Sequence, residues 1–355
     1  MNAATQASGA PVTETAVFRP DDFKLKNNAD EIRVDTNFVS QSFWKEAVIR
    51  FRRKKSAVFG LIMILLITLI AIFGPGMNGY TYSGQNLSQK NLAPRVPGIE
   101  SIGILKGDEK ISTTNGTYVV NNYKLKNLSN VYYWFGSDTF GRDIWTRTWS
   151  GARVSLIIAV AAAFIDMVIG MSYGLISGYF GGRVDNVMQR ILEIANGIPQ
   201  LVVVTLLLLV LQPGMLTIIF ALMLTQWIGM SRIARAEMLK LKEQEFVLAS
   251  RTLGAGDFFI IFREVLPNII GPVITQVMFS IPTAIFTEAF LSFVGLGIPV
   301  PQCSLGSLIS EGFNSFTTHP YQIVPPIIVM SLLMLSFNLV ADGLREALDP
   351  KLKEM

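Results

Sequence analysis

The chain has a single cysteine, Cys303, and a single histidine, His319, among 355 residues. The lone cysteine excludes an internal disulfide and the lone histidine excludes a His-based metal cluster, so no metal is expected and neither residue marks a catalytic centre. Charge is also scarce, at 16% of residues. No G-x-x-x-x-G-K-[ST] phosphate loop occurs in the sequence, so the chain does not hold ATP in the P-loop manner, and ATP-driven work would have to draw on another chain. The apolar segments also lack a nucleophile with a matching base, which argues against a membrane-bound enzyme.

Apolar residues take the place of chemistry. They make up 50% of the chain, give a mean hydropathy of +0.43, and gather in long blocks. A spanning helix needs about 20 mostly apolar residues, because its backbone must satisfy itself inside hydrocarbon. Six runs qualify: 56–73, 154–180, 191–211, 215–230, 269–294 and 324–342. The third carries Glu193, Asn196, Gly197 and Pro199 in its first half, which predicts a kink or a broken start. The expected fold is an all-α polytopic membrane protein with six transmembrane helices.

Lysine and arginine in short flanks set the orientation. Lys45, Arg50, Arg52, Arg53, Lys54 and Lys55 precede the first run, and six crossings return Arg345, Lys351 and Lys353 to the same side. Arg232, Arg235, Lys240, Lys242, Arg251 and Arg263 fall between the fourth and fifth runs, whereas 212–214 and 295–321 contain no Lys or Arg. Both termini are therefore expected to be cytoplasmic. Residues 1–40, without a sustained period, read as a flexible cytoplasmic tail. Residues 41–55 read as an interfacial amphipathic helix against lipid, with Phe43, Trp44, Val48 and Phe51 alternating with Lys45, Arg50 and Arg52. The turn-rich stretch 74–135 reads as a small, β-rich extracytoplasmic insertion, with a type I′ hairpin turn at Asn115-Gly116. The rest, 136–355, forms the membrane core.

The polar interruption 231–268 is long for a loop. Phe246, Ala249 and Leu253 recur at helical spacing after Glu245, Gly254 suits the left-handed end of a helix, and Asp257 suits the N-cap of the next. Two short helices at an angle follow, and Pro267 is expected to break the chain before the fifth run. Phe258, Phe259, Ile261 and Phe262 are too apolar for a free aqueous surface, so they meet either a partner or the chain's own helix ends.

Within the spans, Asp166 and Glu288 stand out, since an intramembrane carboxylate is costly and faces a cavity or a partner. Asp166 would meet a peptide amine or a partner chain. Glu288 would line a translocation path or sit hydrogen-bonded near the external interface. Gly170, Gly174 and Gly178 repeat every fourth residue, which points to close helix packing. Arg142 and Asp143 would form a gate, dock an external protein, or pair locally to cap a short helix.

These residues carry a resemblance. Glu245, Ala249, Ser250 and Gly254, followed by Leu266 and Pro267, resemble the EAA loop of ABC-importer permeases, with Ser250 where alanine is usual and Glu264 where isoleucine is usual. Gly136-Ser-Asp138-Thr-Phe-Gly141-Arg142-Asp143, Gly151-Ala-Arg153-Val-Ser155, Glu288 to Gly297 and Asn338 to Pro350 resemble the second permease subunit of oligopeptide, dipeptide and nickel importers. The resemblance implies a type I ABC-importer permease fold in a bacterial plasma membrane. It implies a homologous second permease, two cytoplasmic ATPase subunits that carry ATP and Mg, and an extracytoplasmic binding protein delivering peptide. This chain would bind no cofactor and no nucleic acid. Within the family the alternatives are a dipeptide or nickel-chelate importer. Outside it, an ATPase-independent secondary transporter would call for internal repeats and paired membrane charges, which the sequence does not display.

Overall fold

The computed structural model describes residues 43–102, 105–113 and 116–348; the expected tail 1–40 and the basic residues Lys351 and Lys353 lie outside them. Helix α1 (Phe43–Arg53) turns at Lys54 into α2 (Lys55–Phe73), the first span. Ala47 of α1 is buried while Trp44 and Val48 remain exposed, which gives it one inner and one outer face. Lys54 pairs with Glu346 near the end of the last helix, α14 (Val324–Leu348), so the first and last spans run antiparallel with their basic ends together. Small residues allow their close approach: a Cβ on Gly60 would meet Ser336 O at 2.7 Å, and one on Gly343 would meet Ala57 Cβ at 2.2 Å.

The second span starts ten residues earlier than hydropathy suggests. It runs unbroken through α4 (Ile144–Ile165), a π-turn at Asp166–Gly170 and α5 (Met171–Phe180). Its first turns hold Thr146, Arg147 and Thr148, which are buried against protein instead of lipid, so their polarity does not end the helix. The third run is broken, as its composition indicates: α6 (Gly182–Gly197) and α7 (Gln200–Val210) meet at 79°. Pro199 is the hinge, since its preceding residue Ile198 is driven to an extended conformation. The fourth comprises α8 (Met215–Thr225) and α9 (Trp227–Leu241), so the first eleven residues of the supposed loop 231–268 are helix.

Among the described residues, five helices are long and apolar enough to span a membrane, or six if the bent pair counts as one. The fifth is continuous from α11 (Asp257–Phe259) through a π-turn at Ile260–Val265 into α12 (Leu266–Phe293). Pro267 therefore does not break the chain. It lies in the first turn of α12, where its missing N–H is least costly, just after a widened turn. A short helix, α13 (Leu305–Asn314), closed by a Ser304–Ser307 capping box, leads toward α14.

The insertion is less β-rich than expected. Among its described residues a two-stranded sheet pairs β1 (Asp108–Thr113) with β2 (Gly116–Asn121), followed by the one-turn helix α3 (Asn122–Leu125), and the other described residues form turns, short 3-10 segments and isolated bridges. Pairing closes at Thr113 and Gly116, so Gly116 is a strand residue and not a turn residue, and Asn115 lies outside the described residues. Leu92, Tyr123 and Tyr133 form the insertion's own small core. Arg95 organises the chain around it by donating to Leu128 O and Ser129 O at 3.1 Å. His319 Nδ1 meets Glu109 Oε1 at 2.5 Å and Gln322 Nε2 donates to Asn91 Oδ1 at 3.1 Å, fastening the insertion to the segment before α14.

A glycine stripe packs the second span against α9. A Cβ on Gly170 would meet Trp227 O at 2.4 Å, one on Gly174 would meet Ser231 O at 2.2 Å, and one on Gly178 would meet Met238 Cβ at 2.8 Å. Two of these contacts are with rigid backbone, so no side-chain rotation relieves them. Gly174→Ala is expected to cost about 1–3 kcal/mol by overpacking, read as a lower melting temperature of the detergent-solubilised protein. Gly229→Ala, whose Cβ meets nothing within 4 Å, is the control and should leave it unchanged.

Candidate functional site

The loop beyond α9 folds around helix α10 (Glu245–Thr252). Val247 is fully buried and anchors α10 in a core with Leu175, Met238, Ile260 and Val265. The helix ends in a Schellman motif: Gly254 N donates to Arg251 O (3.1 Å) and Ala255 N to Ser250 O (3.0 Å), with Gly254 at φ +82°. A Cβ at Gly254 would meet nothing within 4 Å, so backbone conformation and not space requires glycine there. The tip carries Leu253, 88% exposed, and Phe258, 64% exposed, with Phe246, Leu248, Phe259 and Phe262 also presented outward.

Polar tethers fix this tip to the end of the second span. Tyr179 donates its hydroxyl to Asp257 Oδ1 (2.8 Å), and Arg251 stacks over the Tyr179 ring at 5.1 Å. Lys242 Nζ donates to Gly178 O at 3.2 Å. Asp257 is thus not the N-cap. Gly256 holds that position without a side-chain cap, and the Asp257 carboxylate is engaged by Tyr179 instead. Leu266 and Pro267 follow in the same continuous helix, and Glu245 and Ala249 lie on α10 itself.

The two departures from the usual EAA pattern are partners. Ser250 Oγ donates to Glu264 Oε1 at 2.7 Å, bridging α10 to the π-turn, while Glu264 Oε2 is enclosed with no partner among the described residues. Alanine and isoleucine at these positions would meet as two apolar groups; serine and glutamate meet as donor and acceptor.

At the opposite end of the second span the charges differ from their sequence reading. Arg142 and Asp143 do not pair with each other. Asp143 caps α4, accepting from Thr146 N (2.7 Å) and Asn78 Nδ2 (2.6 Å). Arg142 joins a buried network in which its Nε donates to Asp138 Oδ2 (2.6 Å) and its Nη2 to Glu311 Oε2 (2.8 Å). Arg147 Nη1 donates to the same two carboxylates at 2.6 and 2.7 Å. Arg142 and Arg147 are each 1% exposed, so the site presents no free cation as a gate. Sequence reading missed Asp138, Arg147 and Glu311 as a set. The available signal was Glu311, the sole acid in a stretch, 295–321, that holds no Lys or Arg. Cys303 lies beside this network, its Sγ against Arg147 O at 3.4 Å, and burial pushes its thiol up, away from the reactive thiolate.

The membrane carboxylates are both enclosed. Asp166, 2% exposed at the start of the π-turn, accepts from Ser280 Oγ of α12, while its Oδ1 has no partner among the described residues. Its contact is thus within the chain. Glu288 is fully buried, accepting from Ser155 Oγ (3.1 Å) and Ser292 Oγ (2.7 Å), and Ser155 Oγ in turn accepts from Leu305 N (3.1 Å). Glu288 therefore does not line an open path on this chain but ties α4, α12 and α13 together. Trp227 packs edge-on against Tyr173 at 4.9 Å, and Met230 is fully buried.

Residues 170–354 match the family described as the binding-protein-dependent transport system inner membrane component, and residues 42–94 match the N-terminal TM domain of oligopeptide transport permease C. The chain belongs to this permease family. The permease is 44% identical over 315 residues to the oligopeptide transport system permease protein OppC of Bacillus subtilis, covering 89% of this chain and 92% of that one. It is 38% identical over 340 residues to the dipeptide transport system permease protein DppC of the same organism, covering 94% of each. A solved chain of the MetNI methionine ABC transporter in an inward-facing conformation aligns with TM-score 0.48 and 18% identity over 57% of the permease and 96% of that chain.

The Ser250–Glu264 pair is open to a direct test in this permease. Ser250→Ala alone leaves Glu264 without its donor and is expected to destabilise by about 1–3 kcal/mol. Adding Glu264→Ile should recover most of that loss, measured as a non-additive double-mutant cycle in detergent melting. Additive effects would mean the two positions act independently.

Proposed function

We propose that this permease is one half of the membrane pore of an ATP-driven peptide importer, with α10 and the start of α11 as the surface on which a cytoplasmic ATPase docks. The observation that carries the reading is the tip itself: Leu253 and Phe258 are the outermost apolar residues of a loop otherwise fastened by Val247, Tyr179 and the Schellman turn. An apolar knob on a rigid mount suits insertion into a cleft of a partner. Orientation follows the basic residues: the α10 end is cytoplasmic, with both termini, in a bacterial plasma membrane, and the insertion faces outward.

Force applied at the knob passes first to α5 and α9, because Tyr179 and Lys242 bind the loop to that glycine-packed pair. It passes also into α12, since the loop joins that helix without a break. Two ATPases closing on ATP would rock these helices against a homologous second permease, opening the pore outward to peptide from an external binding protein, and hydrolysis would reset it. ATP and Mg reside on the ATPases. An oligopeptide is the preferred substrate, following the 44% identity to an oligopeptide permease, with dipeptides second on the 38% identity to a dipeptide permease.

The coupling role is tested at Gly254. Gly254→Val forces a β-branched residue to positive φ, a cost of roughly 1–3 kcal/mol concentrated in the turn that aims the knob. Membrane insertion and yield should be unchanged, while peptide uptake and peptide-stimulated ATP hydrolysis by the assembled complex fall at least tenfold. Wild-type uptake in this variant would remove α10 from the coupling path.

A further inference from the structure

Helix α1 leaves cations without partners at the point where the chain enters its first span. Lys54 alone separates α1 from α2, so α1 stands at the level where a membrane-embedded chain meets lipid headgroups. The junction is fixed to the last helix. Lys54 pairs with Glu346 of α14, and Phe51 lies over Gly343, where a Cβ would come within 3.2 Å of its Cε2.

Those contacts use the inner face of α1, where Ala47 and Phe51 lie four residues apart. The outward face is two adjoining rows at the same spacing, Trp44, Val48 and Arg52 beside Lys45, Ile49 and Arg53, and all six side chains are exposed. Apolar groups and cations therefore alternate across one surface. Glu46 is taken by Arg50 and Glu346 by Lys54. Lys45, Arg52, Arg53 and Lys55 have no carboxylate partner among the described residues.

Neither water nor neutral lipid suits this mixture. Water meets the cations but leaves Trp44, Val48 and Ile49 unburied; zwitterionic lipid takes the apolar groups but sets its own ammonium beside each phosphate. An anionic phosphodiester lipid satisfies both, because its acyl boundary receives the apolar side chains while its net charge lies within reach of the long basic ones. An acidic protein surface is the weaker occupant. Helix α1 continues directly into a span whose own uncovered residues, Phe59, Ile62 and Leu66, call for hydrocarbon.

We propose that the outward face of α1 is a binding site for anionic phospholipid, with Lys45, Arg52 and Arg53 holding headgroup phosphate and Trp44 and Val48 seated at the acyl boundary. The inference is independent of the transported substrate and of the role of α10. The test places a bimane fluorophore on Val48→Cys in the full chain with its co-purifying partners, reconstituted into nanodiscs; Cys303, 2% exposed, stays unlabelled. Dibrominated phosphatidylglycerol and dibrominated phosphatidylcholine are compared as quenchers at equal mole fraction. Quenching is expected to be at least threefold stronger with phosphatidylglycerol, and to become equal for the two lipids when Lys45→Gln, Arg52→Gln and Arg53→Gln are combined. Lys45→Arg with Arg52→Lys and Arg53→Lys keeps the charge and should keep the preference. The same label on Leu66→Cys, within the span, should show none. Equal quenching by both lipids in the chain that retains its cations would overturn the site, as would a preference that survives loss of all three cations or appears equally at Leu66. Protection of the Val48 label from both lipids, relieved when the partner proteins are stripped away, would assign the face to a protein and overturn it as well.

Discussion

The contact between the second span and α9, made through the bare backbone at Gly170, Gly174 and Gly178, is the constraint on which the α10 end of this permease depends. Membrane helices gain little by burying apolar groups against one another, since lipid is equally apolar, and association rests on close packing and interhelical hydrogen bonds. The glycine stripe supplies the packing. Asp185–Arg235, Ser177–Asp185 and Lys242–Gly178 O supply the bonds around it. With the pair fixed, Tyr179 stands where it reaches Asp257, and the α10 loop acquires a rigid mount.

The opposite end is held by charge. Two arginines and two carboxylates, Arg142, Arg147, Asp138 and Glu311, share four hydrogen bonds of 2.6 to 2.8 Å that join the approach to α4 with α13. Removing one arginine would leave the two carboxylates sharing a single cation in a largely enclosed site, which is more costly than breaking an exposed pair. Below it, Glu288 collects Ser155 and Ser292, and Asp166 takes Ser280, so each intramembrane carboxylate serves to join helix two to helix five. Helix five, which continues from the α10 loop, is thus tied to helix two at two depths.

Patterns with a local physical cause were legible in the sequence. The four-residue repeat of glycine gave the α5 packing face, Pro199 with its polar neighbours gave the break between α6 and α7, and Gly254 gave the left-handed turn. What escaped depended on partners distant in the chain. Helix two begins at Ile144 because Arg147 finds Glu311, 164 residues away. Asp257 looked like a cap because Tyr179, 78 residues earlier, was not in view. Ser250 and Glu264 read as two separate departures from a family pattern, whereas the fold makes them one hydrogen bond. Pro267 looked like a break because a π-turn leaves no composition signal that would show how the helix absorbs it.

The central claim is that this permease moves peptide only when ATPases drive it. The direct measurement is uptake of labelled peptide into proteoliposomes containing the two permeases and an external binding protein, with the ATPases and ATP either present or withheld. The account predicts uptake only when both ATPases and ATP are present, with no response to an imposed ion gradient. Peptide accumulation driven by an ion gradient in vesicles free of ATPases would contradict it and assign the chain to a secondary carrier.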